Sequence, residues 1–479
     1  MIAARPLTKC HSIDMTITAK LPNETLCEIF QLLCDEPIAL HILQNTSLFN
    51  KFPWAVGLVC KRWRAAFLSH PRLWTSLHLR DGTFNDNYIA EMNRRTAVYV
   101  ERSRQLPLTV VIRACHTMRS NDVPQTQSTW RILLSLSHRW RTVELIVGTS
   151  SLADDLRECK GRMPILQSLK ISLHFDLEVG LDAFDSAPCL AQVKLMRWQR
   201  VDVGILPLNQ LKRFTIILEW NNLYRTRRLH SLLPALRNVE ELRFLLFLSD
   251  APIPEYPPVQ LSHLRFLQIS HPNMLSWIKA PSLEHLHVED RSYYTRKDLY
   301  SEKLLYFVQH SSCHIRQLTL QCCDVLTAFS IMEILTHVNK LSIIDSSVDH
   351  SGAIIKAIAN FDIYMPNLRV LEVTCYPGIA TKMVVDAISP LLEMWNSESG
   401  IIPLEKIVVQ LKWSHYEGEC LILDEVKEAS WPSFVELEVV HFRSPSLRSV
   451  TFDISVARKH RFDAASPNAA EQARRSRLG

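Results

Sequence analysis

Glycine is scarce in this chain, 11 residues in 479, against a usual share of about 7%. Loops that cradle phosphates, nucleophile elbows and dinucleotide turns all need glycine where backbone must approach a ligand closely. None of the patterns GxxxxGKS, GxxxxGKT, GxGxxG, GxSxG or HExxH occurs. These absences argue against an active site of those classes, and no cofactor is expected. No apolar run approaches the roughly 18 residues a spanning helix needs. The first twenty residues also lack the continuous apolar stretch of a signal peptide. The sequence therefore points away from membranes and towards the cytoplasm or the nucleus. Charge of one sign is lacking too: 54 basic against 49 acidic residues leave a net +5, too mild to argue for nucleic-acid partners. The twelve cysteines follow no framework pattern, and reduced, buried thiols are expected.

What is present begins at residue 21. In LPNETLCEIFQLL, Pro22 suits a helix start, where its missing N–H costs nothing. Glu24 favours the positive end of the helix dipole. Leu26, Ile29, Phe30 and Leu33 then form one apolar stripe. A second stripe follows in Val56, Val59, Cys60, Trp63 and Phe67, with Lys61, Arg62 and Arg64 on its other face. Pro71 ends it. Two short amphipathic helices cannot bury both stripes by themselves, so a following domain or a partner must cover them.

The order Leu21-Pro22-x-Glu24-x-Leu26-x-x-Ile29-Phe30-x-x-Leu33, then Leu58-Val-Cys-Lys-Arg-Trp-Arg64, then His70-Pro-Arg-Leu-Trp74 resembles an F-box of the form found in large fungal families. The resemblance covers residues 21–76. It implies a three-helix module docking on a Skp-family adaptor and, through it, on a cullin and RING ubiquitin ligase. On that pattern Leu21, Pro22, Leu26, Ile29 and Phe30 would face the adaptor, with Leu33 in the same stripe. Val59, Cys60 and Trp63 would hold the module's core and part of its contact surface. One departure is the stretch 34–54, longer than the family's compact middle. It either loops clear of the docking surface or weakens it.

From residue 140 onward the pattern apolar-x-x-apolar-x-apolar recurs, starting at Leu166, Leu190, Leu211, Val239, Leu264, Leu283, Ile315, Val338, Leu368, Leu404, Phe434 and Leu447. In so apolar a chain many such triplets arise by chance. Proline decides the matter. Six of the twelve carry it two positions earlier, at Pro164, Pro188, Pro281, Pro366, Pro432 and Pro445. Twelve positions drawn at the chain's own frequency, 24 in 479, would give about 0.6. The unit has been reused. Each apolar-x-apolar pair reads as a short strand with alternate residues inward, and the proline sits where the chain turns into it. Successive units, apart from the short last step, lie about 27 residues apart, within the leucine-rich range of roughly 20–29.

Helical patterns lie between the strands at 299–308, 328–335, 354–361 and 383–395, and earlier strands are expected at 77–79, 108–112 and 143–145. The predicted fold is α/β: a disordered start at 1–20, the helical module at 21–76, a leucine-rich-repeat-like solenoid with a curved parallel sheet at 77–457, and a basic disordered tail at 458–479.

Other constellations have blander readings. His310, Cys313, His314, Cys322 and Cys323 fit no common zinc spacing and read as core packing. His285 and His287 flank Leu286 and read as exposed surface histidines. Trp198, Trp220, Tyr224, Trp277, Tyr293 and Tyr294 cluster near strand ends, as binding anchors or as packing between repeats. The expected role is non-catalytic: a monomeric receptor subunit of a Skp-cullin-F-box ligase that holds an unidentified protein target on its repeats. The alternative is a scaffold acting outside ubiquitin transfer.

Overall fold

A computed structural model describes residues 21–33, 59–80, 86–114, 123–147, 155–173, 181–196, 205–218, 223–246, 254, 256–289, 297–321, 323, 325–345, 353–354, 358, 365–375, 406–414 and 435–442. The chain divides into two compact units, residues 1–239 and 240–479.

The first unit opens with two helices, α1 (Asn23–Leu33) and α2 (Lys61–Ser69), and a 3-10 turn at Pro71–Trp74. Six strands follow: β1 (Ser76–Arg80), β2 (Leu108–Ala114), β3 (Trp140–Val147), β4 (Ser168–Leu173), β5 (Gln192–Met196) and β6 (Arg213–Leu218). They pair in chain order and all are parallel. Helix α3 (Asp86–Ser103) connects β1 to β2, and α4 (Val123–Ser135) connects β2 to β3. Short 3-10 turns stand in the later connections, and α5 (Leu223–Leu232) follows β6.

In the second unit, β7 (Glu241–Leu246), β9 (Phe266–Ile269), β11 (His285–Glu289), β12 (Gln317–Gln321), β13 (Lys340–Asp345), β14 (Val370–Cys375), β15 (Lys406–Ser414) and β16 (Val435–Phe442) likewise pair in that order, all parallel. Between them, β8 (Val259–Gln260) pairs with β10 (Ile278–Lys279) in a small second sheet. Helix α6 (Lys297–Ser311) precedes β12 and α7 (Val325–Ile334) precedes β13. The fold is thus α/β, with parallel sheet as its main component and a repeat-like construction.

The recurring unit has a plain physical basis. Nine of the twelve expected units are fully described, and all three of their apolar positions are buried, from Leu166, Leu169 and Ile171 to Leu368, Leu371 and Val373. Val408, between two pattern positions of the tenth unit, is buried as well. Each of the four described prolines stands second in a four-residue turn. The turns close by Leu166 N–H to the Met163 carbonyl (3.4 Å), Leu190 to Ala187 (3.1 Å), Leu283 to Ala280 (3.2 Å) and Leu368 to Met365 (3.2 Å). Proline suits that second position because its fixed φ matches the turn and no N–H is needed there.

Units without proline turn the same way, Leu211 to Leu208 and Val338 to Leu335. Between units, one carbonyl takes two N–H groups from the next: Arg265 O accepts from Glu284 and His285, and Glu284 O from Arg316 and Gln317. Stacking of this kind satisfies backbone that a lone unit would leave open.

A buried guanidinium ties the end of α3 to the start of β3. Arg139, 4% exposed, donates through Nε (3.1 Å) and Nη2 (3.0 Å) to the Leu106 carbonyl and through Nη2 to Ser103 Oγ (2.8 Å). These acceptors lie at the end of α3, where Arg104 turns into the left-handed region (φ 51°). A cation there meets the negative end of the helix dipole. Arg139→Ala takes the donors from the half-buried Leu106 carbonyl and one from Ser103 Oγ, which keeps its own bond to the Val100 carbonyl (3.0 Å), and is expected to cost about 1–3 kcal/mol. Urea unfolding followed by circular dichroism checks it, and an unchanged midpoint would contradict this role.

Candidate functional site

The N-terminal module is held by a small apolar core. From α1 come Leu26, Cys27 and Phe30, from α2 Ala66 and Phe67, and from the turn Leu73 and Trp74, all buried. Cys27 Sγ donates to the Ala66 carbonyl (3.7 Å), and burial, then the Glu24 charge, pushes that thiol's pKa up. Phe30 and Trp63 meet edge to face with centroids 5.3 Å apart. The α1 ladder starts from the Pro22 carbonyl, which accepts from Leu26 N–H (3.1 Å). Cys60 caps α2 by accepting the Trp63 N–H on its sulfur (3.4 Å).

The expected docking residues separate accordingly. Leu26 and Phe30, expected to face a partner, lie inside the module at 1% and 0% exposure; that expectation is corrected, since edge packing on Trp63 and α2 consumes them. Pro22 is exposed, and Leu21 and Ile29 are half-buried. Val59, expected with Cys60 and Trp63 in the core and part of the contact surface, is 52% exposed, while Cys60 and Trp63 are half-buried. Leu33 ends α1, but its side chain and the 34–54 stretch lie outside the described residues. Among the described residues of the module, larger apolar side chains are therefore left open at Pro22 and Val59 and in part at Leu21, Ile29, Cys60, Trp63 and Leu68.

The module is seated on the sheet-bearing part of its unit through Trp74. Its ring packs against Phe67 (centroids 5.1 Å) and edge-on to Tyr99 of α3 (4.9 Å), and Arg102 lies over it at 4.5 Å. Its Nε1–H donates to the Phe67 carbonyl (3.3 Å). Phe67 of the second stripe is thus covered by Trp74, which is in turn held by α3.

A second surface lies on the second unit's sheet, on the face opposite the Leu267–Leu286–Leu318 row. Strand alternation puts Phe266, Gln268, His285, His287, Glu289, Thr319, Ser342 and Glu372 there. Phe266 meets the His285 ring edge to face (4.7 Å) under the Arg243 guanidinium (4.7 Å). His285 Nε2 pairs with Thr319 Oγ1 (2.9 Å) and His287 Nε2 with Gln321 Oε1 (3.0 Å). Gln268 Nε2 donates to Glu289 Oε2 (2.9 Å). Glu372 takes Ser342 Oγ (2.7 Å) and Lys340 Nζ (2.7 Å).

Burial lowers the pKa of His285 and of His287 to about 4, so both rings are neutral near pH 7. The Lys340 and Arg243 charges add to the effect at His285. Burial alone would raise Glu372, but the bonds from Lys340 and Ser342 outweigh it and hold that carboxyl below its ordinary range. The two histidines are therefore half-buried members of a polar network, not the exposed residues the sequence suggests.

The remaining candidates fall elsewhere. Cys313 is buried with its thiol pushed up to about 11 by desolvation, and Cys323 Sγ donates to the Val288 carbonyl (3.7 Å). His310 stacks on Tyr306 (5.4 Å), His314 is exposed, and Cys322 lies outside the described residues. Among the described residues no group of three His, Cys, Asp or Glu side chains is placed to hold a metal, and no helix is long and apolar enough to cross a membrane. Trp277 is fully buried and donates to the Pro254 carbonyl (3.2 Å), so it packs the interior. The Tyr224 side chain and residues 198, 220, 293 and 294 lie outside the described residues.

The geometry defines a class: a repeat-like parallel-sheet protein with an N-terminal helical module. No family model matches the chain, and no curated protein matches it in sequence.

Proposed function

We propose that the chain is a non-catalytic receptor subunit of a Skp-cullin-F-box ubiquitin ligase, docking a Skp-family adaptor through residues 21–76 and a protein target through its repeats. The observation that carries this reading is the ordered F-box-like motif from Leu21 to Trp74, together with the apolar side chains of Leu21, Pro22, Ile29 and Val59 that its core leaves open. Apolar side chains at a helical module's surface suit a protein partner, which gains by removing them from water. The mechanism is proximity: the module fixes the adaptor, the repeats present the target, and the associated ligase performs the transfer.

Co-purification with a Skp-family adaptor tests the proposal. Wild type is expected to retain the adaptor, and Leu21→Ala/Pro22→Ala to lose most of it. No retention by wild type, or equal retention by the variant, would sink the reading. Adaptor retained without cullin would instead assign a scaffold outside ubiquitin transfer.

A further inference from the structure

We infer that Arg62 is the positioning residue of the docking surface: its guanidinium holds the Leu21–Asn23 segment in the geometry a partner would meet. The inference rests on the docking reading above and adds a residue that reading does not use. Leu21 precedes the first bond of the α1 ladder, which begins at the Pro22 carbonyl. Nothing in the helix itself therefore fixes the Leu21 carbonyl. It is taken instead by Arg62 Nη2, at the start of α2 and 41 residues further along the chain. The same guanidinium donates through Nε to Asn23 Oδ1 (3.1 Å). One planar group thus spans both ends of the Leu21–Pro22–Asn23 segment.

Three features make this a clamp for docking more than a fold contact. The buried core of Leu26, Cys27, Phe30, Ala66 and Phe67 lies one turn further in and does not include Arg62. Arg62 is itself half-buried at the surface. The residues it fixes, half-buried Leu21 and exposed Pro22, are among those the core leaves to a partner. A segment held in its binding conformation beforehand spares the ordering cost on association. Arginine is needed because its fork presents two donors in a fixed plane. A lysine ammonium is a point donor on a flexible stem and does not reproduce that geometry.

The experiment is a binding titration of the full chain with a purified Skp-family adaptor, paired with amide hydrogen exchange. Arg62→Ala is expected to weaken binding about tenfold, the scale of one lost hydrogen bond from a charged group. Most of the change should lie in the dissociation rate. Exchange should speed up at residues 23–26 while the amides of α2 around Phe67 stay protected. Arg62→Lys should restore only part of the affinity.

If wild type binds and Arg62→Ala binds within twofold of it, the clamp is overturned and the docking reading stands. If wild type does not bind, the docking reading falls and the clamp with it. Should Arg62→Ala lose protection throughout the module, Asn23→Ala decides. It removes only the Nε arm and is expected to weaken binding about threefold, and an unchanged affinity overturns the inference.

Discussion

Trp74→Ala is expected to destabilise the 1–239 unit by about 3–5 kcal/mol, the usual range for truncating a fully buried tryptophan. Trp74 has no exposed surface, and its ring touches two helices at once: Phe67 of α2, and both Tyr99 and the Arg102 guanidinium of α3. Removing it opens a cavity between the helical module and α3, and it takes away the indole N–H bond to the Phe67 carbonyl. Cavities at a junction of elements relax poorly, because each neighbour is fixed by its own helix or turn. Trp74→Phe keeps ring packing and loses only the indole N–H and part of the area, so it should cost less, about 1–2 kcal/mol. Urea unfolding followed by circular dichroism measures both. A midpoint for Trp74→Ala within error of wild type would show that the module and α3 do not depend on this contact.

The second large effect is acid sensitivity of the 240–479 unit. His271, His285 and His287 each have a pKa lowered by burial to about 4, against an ordinary value of 6.5. His271 Nδ1 accepts the Asn273 N–H (3.2 Å), a bond that requires an unprotonated nitrogen. Above pH 6.5 the rings are neutral in folded and unfolded chains alike, and their full contribution is present. As pH falls from 6.5 towards 4, the unfolded chain takes up protons that the folded chain refuses, and stability is lost across that window.

Each pKa unit is worth about 1.4 kcal/mol. Partial exposure of all three rings discounts the sum to on the order of 5 kcal/mol. His285→Gln/His287→Gln should flatten the slope between pH 6.5 and 4 relative to wild type. Parallel slopes in the two proteins would show that these rings do not report on folding. Glu372 acts at lower pH: its depressed carboxyl contributes stability that is lost on further acidification.

The strands were legible because each carries its own signature. A proline or an equivalent turn, a buried leucine and an alternating pair suffice to place Ser168–Leu173 or His285–Glu289 without knowledge of the rest of the chain. The helices were legible only where apolar residues repeat densely, as in Lys297–Ser311 and Val325–Ile334. Helix α3 escaped because its buried stripe includes Thr96 and Ser103 beside Tyr99, a pattern that hydrophobic periodicity does not register. Helix α4 begins with the polar run Gln125–Thr129 after Pro124, and α5 carries three arginines in ten residues. Both hide their periodicity in the same way.

At the candidate site the sequence marks the residue types but not their partition. Leu26, Ile29 and Phe30 sit on one helix, and only the arrival of Trp63 and Ala66 from 33–40 residues away separates the buried pair from the half-buried Ile29. Arg62 reads as one of several solvated cations until its bonds to Leu21 and Asn23 are seen. The histidine network was hidden for a related reason. The partners of His285 and His287, Thr319 and Gln321, stand 34 residues later in the next strand, where parallel pairing alone brings them close.

The central claim is that residues 21–76 dock a Skp-family adaptor. Isothermal titration of the purified chain with the purified adaptor tests it most directly, with Ile29→Glu as the comparison. The account predicts a saturable one-to-one complex for wild type. It predicts at least about a hundredfold weaker binding for Ile29→Glu, since the substitution places a charge in a surface that must be desolvated. Absence of binding by wild type, or equal binding by the variant, would contradict it.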